Sequence, residues 1–220
     1  MAAITAESLD LSIGEGHEIG ADLHVPDRAM GLVVFAHGSG SGRFSSRNRA
    51  VAASLQSRGL GTLLADLLTR QEESVDTYTA EYRFNIPLLG RRVIGITDWV
   101  SQQQTLKNLP VGYFGASTGA AAALIASAER PAIARAVVSR GGRPDLAEDA
   151  LALVKAPTLL IVGGHDQPVI EMNHDAMAKM TAAQVELRIV PGATHLFEEP
   201  GTLEQVEILA ADWFIRYLPI

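Results

Sequence analysis

The stretch Val111-Gly112-Tyr113-Phe114-Gly115-Ala116-Ser117-Thr118-Gly119-Ala120-Ala121-Ala122-Ala123-Leu124 decides how the chain is read. Its first four residues form the short, mostly apolar run that suits a strand buried on both faces. Residues 118–128 are rich in alanine, the strongest helix former. Between strand and helix, Gly115-Ala116-Ser117-Thr118-Gly119 leaves almost no chain for a turn. A strand that passes so sharply into a helix strains the serine backbone and lifts its hydroxyl above the sheet. Glycines two residues before and after the serine remove side chains that would clash. The pattern points to a serine nucleophile rather than a helix-capping serine in a glycine-rich connection.

Reading outward, residues 9–13 and 18–25 form a hairpin around Gly14-Glu15-Gly16-His17, and residues 31–36 are a continuously apolar strand. Then follow a helix at 47–58, a strand at Gly61–Ala65, and a helix at Ile86–Gln102 with Pro87 in its first turn. Downstream of the serine, strands at 134–139 and 158–162 bracket a short helix near 146–154. A helix at 169–180, a strand at Val185–Val190 and an amphipathic helix at 203–217 complete the chain. The polar stretch 69–81 reads as a loop or a short excursion. This alternation predicts an α/β fold, with a mostly parallel sheet of about seven or eight strands, helices on both faces and right-handed crossovers. Residues 1–220 are expected to form one domain. Ser139 and Thr158 lie too close in sequence for a separate cap domain between them. The terminal stretch 213–218 suits either core packing or a dimer contact, so the oligomeric state is left open.

The 220 residues are 47% hydrophobic and 20% charged, as in ordinary globular proteins. A net charge of −7 argues against nucleic acid or an anionic membrane surface as partner. With no cysteine, disulfides, thiolate nucleophiles and cysteine-based zinc sites are excluded. No run of about eighteen apolar residues suggests a membrane span. Residues 1–7 show neither a basic start nor an apolar core, so no secretory signal is read and a cytoplasmic location is expected.

In a parallel sheet, ligands bind beyond the carboxyl ends of the strands. Chemistry is therefore sought in residues 37–46, 66–80, 115–117, 140–145, 163–168 and 192–200. A serine hydroxyl needs a neighbouring base, and the histidines downstream of Ser117 are His165, His174 and His195. His195 directly follows the last strand and is assigned as general base. His174 shares a helix face with Glu171, Asp175 and Lys179 and is read as solvated. Asp166 follows the strand at 158–162, where its carboxylate can accept the imidazole N–H and fix the tautomer. Its competing reading is the cap of the helix that follows. No metal is expected, because His165, Asp166 and His174 lack the i, i+4 pairing of a helical zinc site. The oxyanion formed on attack needs preorganised donors. The backbone N–H groups of Thr118 and of Ser39, in the loop His37-Gly38-Ser39-Gly40-Ser41-Gly42, are assigned to it. His37 is given a packing and hydrogen-bonding role. The loop lacks the lysine and closing Ser/Thr of a phosphate-binding P-loop.

In order and context, the His-Gly loop, Gly115-Ala116-Ser117-Thr118-Gly119, Asp166 and His195 resemble the α/β-hydrolase superfamily over essentially the whole chain. The compact length and residues 84–92, 139–145 and 191–200 resemble its dienelactone hydrolase-like group. That resemblance implies a small-molecule ester or lactone substrate, an acyl-enzyme intermediate and no cofactor. Dienelactone hydrolases proper use a cysteine nucleophile, so the serine here implies a carboxylic ester hydrolase of the related serine type. A ligand-binding protein without turnover, and an acyl or perhydrolytic transferase with the same three residues, are the alternatives. Arg140 and Arg43, together with Arg47 and Arg143, belong to segments at the catalytic face and could hold a substrate carboxylate or phosphate. Loop carbonyls, Asp145, Glu198 and Glu199 compete for them.

Overall fold

The computed structural model describes residues 5–14 and 16–219. Strands β1 (Thr5–Ile13) and β2 (His17–Val25) pair antiparallel, with Ile13 opposite His17. Along β2, Ile19, Ala21 and Leu23 point into the core while their neighbours are part-exposed. This is the two-residue period of a sheet with one wet face. The next strands, β3 (Leu32–Ala36), β4 (Gly61–Ala65) and β5 (Val111–Ala116), are buried at every position. So is β7 (Thr158–Gly163), and β6 (Ala134–Arg140) is exposed only at Arg135. Helices cover both faces of these strands, so both faces are apolar. Strand β8 (Val185–Val190) closes the far edge and is largely part-exposed.

Among the described residues the sheet has eight strands in the order β1-β2-β4-β3-β5-β6-β7-β8, parallel from β4 to β8 and antiparallel at β1–β2 and β2–β4. From β3 the chain steps to one side to make β4, then crosses back to lay β5 on the other. The carboxyl ends of β3 and β5 thus flank the point where the winding reverses, the place where such sheets open a crevice.

Alternation along the strands sorts the core into two layers. Val33, Phe35, Phe114 and Val138 pack under α1 (Ser46–Ser57) and α6 (Thr202–Tyr217). Val34, Tyr113 and Val137 pack on the opposite face, with α3 (Ile86–Gln102) and α4 (Thr118–Glu129). Trp213, Phe214 and Leu218 belong to the first layer, which settles the terminal stretch as core. Helix α4 is buried almost all round, and its alanines let it approach both the sheet and α3. A Cβ at Gly90 of α3 would lie 2.9 Å from Ile125 of α4. The one phenol in this layer is satisfied. Thr97 donates to the Val93 carbonyl at 2.8 Å, leaving its oxygen to accept from Tyr113 Oη at 2.9 Å.

One segment departs from the sequence reading. Residues 69–81 are not a loop: Arg70–Thr79 is a helix, α2. Its polar composition hides a complete capping box. Thr69 Oγ1 accepts the Glu72 N–H at 3.2 Å, and Glu72 accepts the Thr69 N–H at 2.8 Å. The other Glu72 oxygen takes the buried Arg92 guanidinium of α3 at 2.5 Å. At the carboxyl end, buried Asp76 accepts the Tyr82 and Arg83 N–H groups at 2.7 and 3.0 Å and Arg83 Nε at 2.6 Å. Ala80 ends the helix in the left-handed region at φ 55°. Helix α2 is therefore pinned by two carboxylates rather than by apolar area. No helix among the described residues is long and apolar enough to cross a membrane.

Burial alone would raise the Asp76 pKa, but the hydrogen bonds from Arg83 and Tyr82 outweigh it and hold the carboxyl below its usual value. Asp76→Asn is expected to cost about 1.5–3 kcal/mol, the range for hydrogen bonds to a charged group. Urea denaturation reads the loss, and hydrogen exchange should accelerate first in residues 70–83.

Candidate active site

Ser117 sits at φ 50° and ψ −123° between β5 and α4. A non-glycine residue held there costs on the order of 1–3 kcal/mol, and surrounding contacts must impose it. They do so through the backbone. The Ser117 N–H donates to the Arg140 carbonyl at 3.3 Å, and its own carbonyl accepts the Arg143 and Ala120 N–H groups at 3.0 and 3.1 Å. The two motif glycines are required by proximity. A Cβ at Gly115 would stand 2.4 Å from Ala120 Cα, and one at Gly119 would stand 2.1 Å from the Ala36 carbonyl oxygen. Through Gly119, α4 starts hard against the end of β3.

His195 Nδ1 donates to Asp166 Oδ2 at 2.6 Å. Asp166 occupies the cap position of α5 (Gln167–Lys179), yet its side chain makes no capping bond. The carboxylate is turned to the histidine instead. The loop carrying His195 is tied from both sides. Buried Phe197, at φ 56°, anchors it from below. Glu199 accepts the Thr194 hydroxyl at 2.6 Å and the Thr194 N–H at 3.1 Å, and these bonds hold its carboxyl below the usual range. Ser117 and His195 converge on one peptide. Arg140 receives the Ser117 N–H, and a Cβ at the next residue, Gly141, would lie 3.7 Å from His195 Cε1. His174 is exposed on α5, away from this convergence.

The His37–Gly42 loop lies beside the serine, so close that a Cβ at Gly38 would stand 3.0 Å from Ser117 Cβ. His37 is buried. Its Nε2 accepts the Leu67 N–H at 2.9 Å, which requires the proton on Nδ1, and Nδ1 donates to the Gly38 carbonyl at 2.9 Å. Burial lowers its pKa, against the opposing influences of that carbonyl and of Asp66 and Glu73. Thr118 opens α4, where a helix leaves its first N–H groups without intrahelical partners. The Ser39 N–H, the other expected oxyanion donor, is already engaged: it donates to Thr118 Oγ1 at 3.0 Å. That contact depends on the threonine rotamer, which no motif announces.

The arginines separate sharply. Arg43 is not free for substrate: its guanidinium is bonded to Asp66, lies 3.7 Å from Asp22 and stacks on Phe44. Arg143 forms a two-bond fork with Asp145 at 2.8 and 2.9 Å, and Arg47 meets Glu198 at 3.0 Å. Arg140 is buried and pairs with none of these acids. A small cavity of about 170 Å³ borders the oxyanion loop and α2, lined by Gly38, Ser39, Leu68, Thr77 and Arg83 among others. A wider groove of about 1140 Å³ between the hairpin and α2 is lined by neither Ser117 nor His195, and it is not assigned to the site.

A doubly covered parallel sheet with a strained serine after β5, an acid after β7 and a histidine after β8 defines the α/β-hydrolase class. Comparison with known proteins carries this further. The family model described as "Dienelactone hydrolase family" matches residues 19–215. The crystal structure of a dienelactone hydrolase from Anabaena variabilis superposes with a TM-score of 0.95 at 54% identity, over 98% of this chain and 99% of that one. Proteins from two strains of Mycobacterium tuberculosis that carry a provisional phosphoribosyl transferase name are 57% identical over 200 residues. That match takes in 91% of this chain but 44% of theirs, so the chain spans under half the length of those relatives. Carboxyl esterase 2 from Tuber melanosporum shares the fold, with a TM-score of 0.77 at 16% identity over 99% of this chain and 89% of that one. The chain belongs to the dienelactone hydrolase family.

Because the folded protein resists protonating His37, its contribution to stability is complete above the ordinary histidine pKa of about 6.5. That contribution falls as the pH drops below that value toward the lowered folded pKa. Urea midpoints between pH 7.5 and 5 should show this loss. His37→Gln should start less stable and lose most of that slope. A second expectation concerns Gly119. Gly119→Ala puts a methyl onto a carbonyl and should cost about 3 kcal/mol or more, as in overpacked cores, read by thermal melting.

Proposed function

We propose that the protein hydrolyses a small carboxylic ester or lactone through an acyl-enzyme formed on Ser117. The observation that carries this reading is the 2.6 Å Asp166–His195 bond converging with the strained serine on the Arg140–Gly141 peptide. Bonding to Asp166 through Nδ1 leaves Nε2 of the neutral imidazole as the basic nitrogen. In this reading Nε2 takes the Ser117 proton as Oγ attacks the ester carbonyl. The imidazolium, stabilised by the Asp166 carboxylate, then protonates the departing alcohol as the tetrahedral intermediate collapses. A water molecule, deprotonated by the same nitrogen, attacks the acyl-serine and releases the acid.

The Thr118 N–H, reinforced by the positive end of α4, faces the developing oxyanion. The Thr118 hydroxyl adds to it. Its oxygen accepts the Ser39 N–H, so its own proton is available to the oxyanion, and Ser39 contributes by polarising it. The phosphoribosyl transferase name is not carried over, since more than half of those relatives lies outside the match.

A fluorophosphonate probe should label the wild type, and Ser117→Ala should abolish both labelling and ester turnover. Asp166→Asn should lower kcat by on the order of 10⁴-fold, as when a triad acid can no longer hold the right tautomer. Thr118→Val, which keeps the N–H but loses the hydroxyl, should lower kcat by about 10²–10³-fold with little change in KM. Labelling that persists in Ser117→Ala would sink the proposal.

A further inference from the structure

Helix α5 carries Asp166 at its start and Asn173 on the same face, about two turns further on. The buried residues of α5 include Val169, Asn173 and Ala176, an apolar stripe at helical spacing with one polar member in its middle. Asn173 is 0% exposed. Asparagine is a poor helix former, and a leucine would fill such a stripe better, so packing does not account for it. Its hydrogen bonds do. Nδ2 donates to the Val169 carbonyl one turn back at 2.8 Å, and to the Gly142 carbonyl, 31 positions away, at 3.0 Å. Its Oδ1 has no partner among the described residues. Only the donor half of the amide is in use.

The Gly142 carbonyl is a place that needs a fixed donor. Residues 140–143 brace the serine from both sides: the Arg140 carbonyl accepts the Ser117 N–H, and the Arg143 N–H donates to the Ser117 carbonyl. The same segment packs against His195, since a Cβ at Gly141 would lie 3.7 Å from His195 Cε1 and 2.9 Å from its carbonyl oxygen. Yet the middle of this brace is Gly141-Gly142, two residues of the widest backbone freedom, with Gly141 at φ 50°. Such a hinge holds a strained serine only if its peptides are fastened one by one. The Gly141 N–H donates to the Ile161 carbonyl of β7 at 2.8 Å. Gly142 has no room to turn: a Cβ there would overlap Ser139 Oγ and stand 2.6 Å from Ala120 Cβ. Asn173 supplies the remaining tie, through the Gly142 carbonyl.

We propose that Asn173 is a positioning residue: by holding the Gly142 carbonyl it sets the Arg140–Arg143 brace, and with it the orientation of Ser117 toward His195. Its effect on turnover rests on the serine hydrolase reading, whereas the brace itself stands on the hydrogen bonds. Helix α5 then carries two parts of one device. Asp166 at its start orients the imidazole, and Asn173 orients the serine, so base and nucleophile are referred to one rigid element. The idle Oδ1 fits this role, because both groups that Asn173 holds are carbonyl oxygens and require a donor. An aspartate of the same shape would set a carboxylate oxygen against one of them.

The test uses Asn173→Thr and the smaller Asn173→Ser. Either hydroxyl can return to the Val169 carbonyl, as Thr97 does to Val93, but with one proton to donate neither holds Gly142 as well. Fluorophosphonate titration counts competent serines, so turnover is expressed per titrated site and any loss of folded protein drops out. Each variant should lower kcat per site by about 10²-fold, the cost of a small misplacement of a reacting group, and leave KM nearly unchanged. Hydrogen exchange at Gly141 and Arg143 should accelerate while the amides of β7 and α5 otherwise keep their protection. In the wild type, NMR should find the Asn173 side-chain amide protons protected from exchange, a measurement that needs no variant to fold. A uniform loss of protection with kcat per site intact marks an ordinary core residue and overturns the proposal. Wild-type Asn173 amide protons that exchange as fast as those of an exposed asparagine overturn it too. A wild type that turns over no ester would instead sink the hydrolase reading, and exchange at Gly141 and Arg143 would still decide whether Asn173 sets the brace.

Discussion

At the start of α4, Gly119 presses against the last carbonyls of β3, closer than any side chain permits. Much of the site follows from that contact. It draws the helix so near the sheet that the connection from β5 must turn within one residue, and Ser117 takes a backbone conformation that other residues avoid. It also brings the His37–Gly42 loop, which continues from β3, beside the serine. Ser117 and the His37–Gly42 loop therefore meet because two adjacent parallel strands, β3 and β5, end at the same level. The strain is held by ordinary backbone bonds to Arg140 and Arg143 rather than by any dedicated side chain.

Around this point the charged side chains divide into those that build and those left unspent. Asp66 secures Arg43, Glu72 secures Arg92, Asp76 secures Arg83 and Asp145 secures Arg143. Each pair fastens a loop or helix at the carboxyl side of the sheet, where little apolar surface is available to do so. Asp166 is spent on His195 and Glu199 on the loop carrying that histidine. A charge buried without a counter-charge is costly. Against that background a buried arginine without an acid is conspicuous.

The sheet was legible in the sequence because its strands are covered twice and so read as unbroken apolar runs between glycines and polar turns. Ser117, Asp166 and His195 stood out in the sequence because parallel strands place their following residues at one end, which narrows a 220-residue chain to six short segments. Helix α2 was missed for the opposite reason: it buries few apolar residues, and composition alone reads it as loop. The Thr69–Glu72 spacing was its signal, since a capping box marks a helix start whatever follows. The partners of Arg43 and Ser39 were not legible. Asp66 lies 23 positions from Arg43 and Thr118 lies 79 from Ser39, and such pairings exist only once the strands are assembled.

Asp166 stands where α5 begins, and its side chain leaves that helix uncapped. A serine turned back onto the first-turn N–H groups would improve the helix by about 1 kcal/mol, the usual worth of a cap. The same change would take the carboxylate away from His195. Local folding and chemistry thus pull this position toward different residues. Under the proposed hydrolase reading, a directed-evolution campaign that rewarded heat resistance alone would drift toward the better-capped chain and lose turnover without any loss of structure. Melting temperature is accordingly a poor proxy for function here, and variants at Asp166 are better ranked by both measures together.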